Sequence, residues 1–193
     1  AVARLLLGNE DVPYGQLYEP GMWYRNFRHV LQGLQESFEC RPHLRLTACP
    51  LAIAHMFDKT ATAATLRDAG IPTPDWLEKP EQIFNQHWRD WPSTYLKLNT
   101  GASAVGMIAL RRVGSSFTGT ATFAEDGGQF FNTRSLSELT SKPLHRAIMF
   151  LLREGAFAQQ GHPMAKIDSH NFDVRVVCVR GEPVASIFRL SLN

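Results

Sequence analysis

Apolar and polar positions alternate along this chain with two different periods, and the switches between them outline its elements. Phe27, Val30, Leu31 and Leu34 recur at helical spacing and predict a helix over Trp23–Phe38 with one inward face. The stretch Pro50–Ala69 predicts a further helix, closed by Gly70-Ile71-Pro72-Thr73-Pro74, where proline removes backbone donors and pushes its predecessor toward extended geometry. Ala1–Leu7 reads as an opening strand that turns at Gly8-Asn9, Glu10–Gly21 as an extended loop, and Pro80–Trp91 as a helix. Period-two alternation then predicts strands at Thr94–Leu98, Met107–Val113, Phe117–Phe123 and Gln129–Asn132. Gly114 and Gly127-Gly128 mark the turns of an antiparallel meander. Ser137–Arg153 predicts a helix with Ser137 as N-cap and Leu144, Ile148, Leu151 and Leu152 on its apolar side. Ala156–Gln160, Asp173–Val179 and Val184–Leu190 read as strands, the last two joined at Arg180-Gly181-Glu182.

This order of elements predicts an α+β fold opened by a short α/β segment. A small N-terminal α/β domain is expected over residues 1–55 and a second domain over 56–193. The latter divides into a subdomain at about 75–155 and the start of another at 156–193. With 193 residues, 44% of them hydrophobic and 20% charged, a sizeable core is available and neither a disordered nor a fibrous chain is indicated. A formal charge of +2 with no block of like charges gives no reason to expect a nucleic-acid or membrane partner. The opening residues lack the layout of a secretion signal and no run reaches transmembrane length, so a cytoplasmic location is expected. Cys40, Cys49 and Cys178 form no C-x-x-C pair and are expected as buried or neutral thiols. The seven histidines show no ligand spacing.

The strongest local chemical signal is Tyr95-Leu96-Lys97-Leu98-Asn99-Thr100-Gly101-Ala102-Ser103-Ala104-Val105-Gly106, a lysine inside an apolar strand followed by a loop of small residues. Gly101 and Gly106 permit backbone conformations that turn consecutive N–H groups toward phosphate oxygens, and Ser103 adds a hydroxyl donor. The competing reading is a lysine snorkelling at a strand edge before an ordinary hairpin loop. The string is not a Walker loop, because the lysine precedes the glycines, and G-x-G-x-x-G is absent.

A second lysine opens Asp58-Lys59-Thr60 and is followed by a helix and by Ala69-Gly70-Ile71-Pro72-Thr73-Pro74. A third set of strings comprises Ala158-Gln159-Gln160-Gly161-His162-Pro163, Asn171-Phe172-Asp173-Val174-Arg175-Val176 and Ala185-Ser186-Ile187-Phe188-Arg189-Leu190-Ser191. Taken in this order, over Phe57–Ser191, the three sets resemble the ATP-grasp superfamily. The likeness is to the branch that joins amino acids to carboxylates, such as the ribosomal-protein glutamate ligases and lysine-biosynthesis ligases.

The resemblance implies two α+β subdomains clamping ATP. Lys59 would reach a nucleotide phosphate and Lys97 the phosphates or the adenine edge, with Gly101, Ser103 and Gly106 as the phosphate loop. The backbone at Gln159 and Gln160 would meet adenine, and Asp173 would accept from a ribose hydroxyl or brace Arg175. Arg175 and Arg189 would act as catalytic cations on the transferred phosphate and the carboxylate; the plainer reading pairs each with a surface carboxylate such as Asp173 or Glu182. The implied reaction activates a small-molecule or peptide carboxylate as an acyl phosphate and captures it with an amine, with ATP and Mg2+ required. The alternatives are a kinase acting on a hydroxyl and a nucleotide-binding module without catalysis. Two departures stand out: the family's hinge usually begins with glutamate where this chain has Gln159, and the magnesium-holding residues of the family fall beyond Asn193. A homodimer is left open, as is a role for Trp23 or Arg25 facing an acceptor.

Overall fold

The computed structural model describes residues 12–41, 43–77, 79, 91–114 and 116–191. The strand expected over Ala1–Leu7 lies outside the described residues, as does the helix expected over Pro80–Trp91 apart from Trp91. The fold is mixed α+β, with antiparallel sheets and four helices among the described residues. Two compact units divide the chain, residues 1–161 and 162–193.

The first unit begins with helix α1 (Pro20–Glu39), followed by α2 (Pro50–Phe57) and α3 (Lys59–Asp68). Proline sits in the first turn of both α1 and α2, where its missing N–H costs nothing because no intrahelical acceptor exists there. Trp23 stacks on Phe27 at 5.1 Å between ring centroids, and Phe27 meets Phe57 at 5.0 Å, so α1 and α2 are joined through an aromatic cluster. The hydroxyl of Tyr24 donates to the carbonyl of Ala54 at 2.9 Å across the same contact.

Strands β1 (Trp76–Leu77), β2 (Ser93–Leu98), β3 (Met107–Val113), β4 (Ser116–Asp126), β5 (Gln129–Thr140) and β6 (Ala156–Gln160) form one sheet in the order β1-β6-β2-β3-β4-β5. Every neighbouring pair is antiparallel. Successive side chains of a strand face opposite sides, and β2 alternates accordingly: Thr94, Leu96 and Leu98 are buried while Tyr95 and Lys97 are half-buried on the other side. Helix α4 (Ser141–Arg153) covers the buried side with Leu144, Ala147, Ile148 and Leu151, against Leu96, Leu98, Ile108, Leu110, Ala121 and Phe123. Each such fully buried large side chain contributes about 1.5–3 kcal/mol, so this layer is the core on which the opposite face is displayed.

Four sequence expectations change. The single helix expected over Pro50–Ala69 is broken at Asp58, whose extended backbone (φ −84°, ψ 104°) ends α2 and caps α3. The helix expected from Ser137 starts at Ser141, because Ser137 remains in β5 opposite Ala121 and pairing with β4 runs on to Thr140. Register with a neighbouring strand overrides a local cap signal. Cys40, Cys49 and Cys178 are free and exposed instead of buried. Ala156–Gln160, expected to open the last subdomain, is hydrogen-bonded between β1 and β2 inside the first unit.

The second unit is a three-stranded antiparallel sheet of β7 (Lys166–Ile167), β8 (His170–Val179) and β9 (Glu182–Ser191). A tight turn at Arg180-Gly181 joins β8 to β9, both residues at positive φ (54° and 84°). No helix among the described residues is long and apolar enough to cross a membrane.

Candidate functional site

The loop-and-lysine string builds a corner at the end of β2. Asp58 closes α2 with an extended backbone, and its Oδ1 accepts from the Ala61 N–H at 2.9 Å, the Thr60 hydroxyl at 3.1 Å and the Asn99 amide at 3.0 Å. This is an N-cap, which satisfies a donor that the first turn of α3 leaves without an intrahelical partner. Asn99 returns the contact, its Oδ1 accepting from the Thr60 N–H at 2.9 Å, while its carbonyl accepts from the Lys59 N–H at 3.0 Å. The beginning of α3 is thereby fastened to the strand end that carries the glycine loop.

Lys59 then spends its ammonium on that loop. Its Nζ donates to the carbonyls of Leu98 at 2.8 Å, Asn99 at 3.3 Å and Gly101 at 3.0 Å, which accounts for all three of its N–H groups. Burial, then the neighbouring charge of Lys97, lowers its pKa to about 8, with Asp58 pulling the other way. Among the described residues it forms no ion pair with Asp58 within 4.0 Å; the carboxylate is engaged in capping instead.

Lys97 occupies the sheet face opposite α4. Its Nζ donates to Oε1 of Gln159 at 2.7 Å and lies 4.9 Å from the centre of the Tyr95 ring. Gln159 is directly across from Tyr95 in the β2–β6 pairing, so the three side chains share one face. Burial depresses the pKa of Lys97, and no carboxylate among the described residues pairs with it. Two ammonium groups thus stand close together, partly desolvated, with neutral partners. Such a pair attracts an anion, because an unpaired buried charge is costly until something opposite neutralises it.

The loop has the conformation its glycines suggested, extended to two residues without that freedom. Gly101 and Gly106 have φ of 129° and 63°, and Ser103 and Ala104 both adopt the left-handed region at 57° and 58°. Thr122, at the bulge of β4, pins this shape by donating to the Ala104 carbonyl at 2.6 Å and accepting from the Met107 N–H at 3.2 Å. The N–H groups of Ser103 and Ala104 have no acceptor among the described residues, an arrangement suited to anionic oxygens. A cavity of about 590 Å³ lies beside this corner, lined in part by Asp58, Asn99 and Thr100 together with Tyr24 and Arg25 of α1.

Sequence reasoning brought Lys59, Lys97, Gly101, Ser103, Gly106 and Gln159 to one region of the first unit, and missed Asp58, Asn99 and Thr122 as its fasteners. The Asp-Lys pair just before a helix carried the signal for the cap; Asn99 and Thr122 carried none, since their roles depend on long-range contacts. The Gln160 N–H, expected to face a nucleobase, donates to the Asp75 carbonyl at 2.8 Å. Gln159 enters the site through its side chain.

In the second unit, Asp173 lies opposite Arg189 on β8 and β9. Arg189 binds it through both prongs, Nε–Oδ1 and Nη2–Oδ2 each at 2.6 Å. The pairing lowers the Asp173 pKa and raises that of Arg189. Asp173 therefore pairs with Arg189, as the plainer of the two sequence readings has it, instead of bracing Arg175. Arg175 lies opposite Ile187, on the same face by the alternation of the strand. Both arginines are exposed.

Among the described residues no three side chains of the metal-ligating types converge. Comparison of the chain with protein-family models, with curated proteins and with solved structures gives no match.

Proposed function

We propose that this chain is an ATP-grasp protein that binds ATP and uses it to join a carboxylate to an amine. The observation that carries the reading is the corner at Lys97. A partly buried ammonium without a carboxylate partner stands beside a second ammonium that holds a left-handed small-residue loop. Lys97 would bind and orient the triphosphate, and the Ser103 and Ala104 N–H groups would meet its oxygens. Lys59 would keep the loop in place while adding positive charge.

In this reading a carboxylate oxygen attacks the γ-phosphorus and ADP leaves. The amine then attacks the acyl carbon and phosphate leaves, giving an amide. Transfer of this kind relies on positioning and charge stabilisation more than on a protein nucleophile, consistent with a site made of lysines and backbone donors. No step is assigned to a magnesium ion.

A second reading, a nucleotide-binding module without catalysis, is favoured by one observation: both prongs of the Arg189 guanidinium are engaged by Asp173. Hydroxylamine separates the readings. With ATP and a panel of amino acids and short peptides, the ligase reading expects ADP, phosphate and a hydroxamate from the trapped acyl phosphate. ATP binding by calorimetry with no turnover of any acceptor leaves the binding module, and a phosphorylated hydroxyl without free phosphate makes the chain a kinase.

Lys59 predicts a pH dependence. Its folded pKa of about 8 is below the usual lysine value of 10.5, so between those values the unfolded chain holds more protons than the folded one. Stability therefore rises as pH climbs through that window, whereas anion affinity, which needs the ammonium, falls. Urea midpoints at pH 7.5 and 9.5 check the first effect: the wild type gains at the higher pH relative to Lys59→Met. An equal response in both proteins assigns the effect to other groups.

A further inference from the structure

We infer that Gln159 is a specificity-determining residue: by meeting Lys97 with a neutral amide oxygen, it leaves the ammonium charge uncompensated and makes this part of the site a donor-rich receptor for phosphate oxygens. The inference rests on the nucleotide reading above, which already assigns Lys97 to the triphosphate, and adds the residue that sets that choice.

An ammonium carries three N–H groups and no acceptor, so the atom that Gln159 turns toward Lys97 at 2.7 Å has to be its carbonyl oxygen. With that oxygen committed, the amide nitrogen faces away from Lys97 and presents two N–H groups of its own. Lys97 has used one of three. Lys59, by contrast, has used all of its donors on the loop carbonyls and contributes charge without a free N–H. What remains on the Lys97 ammonium and the Gln159 amide nitrogen is four N–H donors. A ligand group meeting that set must offer acceptors. An exocyclic amino group finds no partner among those four N–H groups, whereas phosphate oxygens do.

Charge points the same way. A carboxylate at position 159 would lie at ion-pair distance from Lys97 and cancel the charge that draws the anion. The amide keeps the hydrogen bond, and with it the geometry, while leaving the ammonium uncompensated in a partly desolvated setting. In the ligand-free protein this arrangement costs stability, because Lys59 and Lys97 repel each other; the bound anion removes that cost.

The test compares inorganic tripolyphosphate, ATP and GTP by calorimetry on the wild-type chain, Gln159→Glu and Gln159→Met, with melting curves confirming that each variant folds. All three ligands are expected to bind the wild type and to weaken alike in Gln159→Glu, by about tenfold, because a carboxylate now competes for Lys97. Gln159→Met leaves the Lys97 charge uncompensated and removes both the amide donors and the oxygen that orients Lys97, so a smaller loss, about threefold, is expected and serves as the test if the glutamate variant does not fold. Tripolyphosphate affinity unchanged in a folded Gln159→Glu, or in Gln159→Met where that one is relied on, overturns the inference. Loss of GTP binding with ATP spared also overturns it, since Lys97 would then meet a base edge. ATP binding without tripolyphosphate binding overturns it while leaving the nucleotide reading intact. A wild type that binds none of the three removes both.

Discussion

Replacing Lys97 by methionine is expected to weaken ATP binding by about a hundredfold while leaving the melting temperature unchanged or raised. Methionine keeps most of lysine's aliphatic length, so packing on the sheet face is retained. What disappears is a partly buried ammonium with two N–H groups to spare. A hydrogen bond to a charged group contributes about 1.5–3 kcal/mol, and 2.7 kcal/mol is about a hundredfold in affinity. The sign of the stability change separates a binding role from a structural one. A charge held for the fold would cost stability when removed, whereas a charge held for a ligand relieves its repulsion with Lys59. Calorimetric titration of ATP, with thermal melting of both proteins, reads both quantities. Unaltered ATP affinity in the methionine variant would end the reading of this corner as a phosphate site.

Gly106→Ala is expected to destabilise the first unit by about 2–5 kcal/mol. Two costs add. At φ 63° Gly106 occupies the left-handed region, which is unfavourable for a residue with a Cβ. A Cβ there would also stand 2.3 Å from Cδ1 and 2.7 Å from Cγ of Leu98. Leu98 is only 1% exposed and sits in the layer under α4, so it has little room to retreat. The Gly106 carbonyl also accepts from the Leu98 N–H at 3.0 Å, which ties the glycine to the strand whose end Lys59 holds. Nucleotide affinity should therefore fall together with stability. Urea denaturation measures the first effect, and a change below about 0.5 kcal/mol would show that the loop relaxes around the methyl group without strain.

How much of this was legible in advance follows from how local each cause is. The strands Met107–Val113 and Ala156–Gln160 were predicted to the residue, because their alternation and bounding glycines are written in adjacent positions. The start of α4 was missed by four residues, since pairing with β4 kept Ser137–Thr140 extended and no neighbouring residue announces that pairing. In the site, Lys97 and the loop were marked by a charge inside an apolar strand and by spaced glycines. Gln159 was noticed only as a backbone contributor, because its side-chain role depends on standing across the sheet from Tyr95, 64 positions away in the chain.

By itself the amino-acid order determined the alternation that builds the sheet, the presence of a strand lysine followed by a small-residue loop, and the Asp-Lys pair that opens a helix. Each depends on backbone preferences and side-chain periodicity acting over a few residues. Only the tertiary structure decided that Lys59 would hold the loop through three carbonyls, that Lys97 would be met by an amide instead of a carboxylate, and that Asp173 would take up Arg189. Those outcomes rest on the competition of donors and charges for partners brought together by strand pairing, and that competition has no local counterpart in the chain.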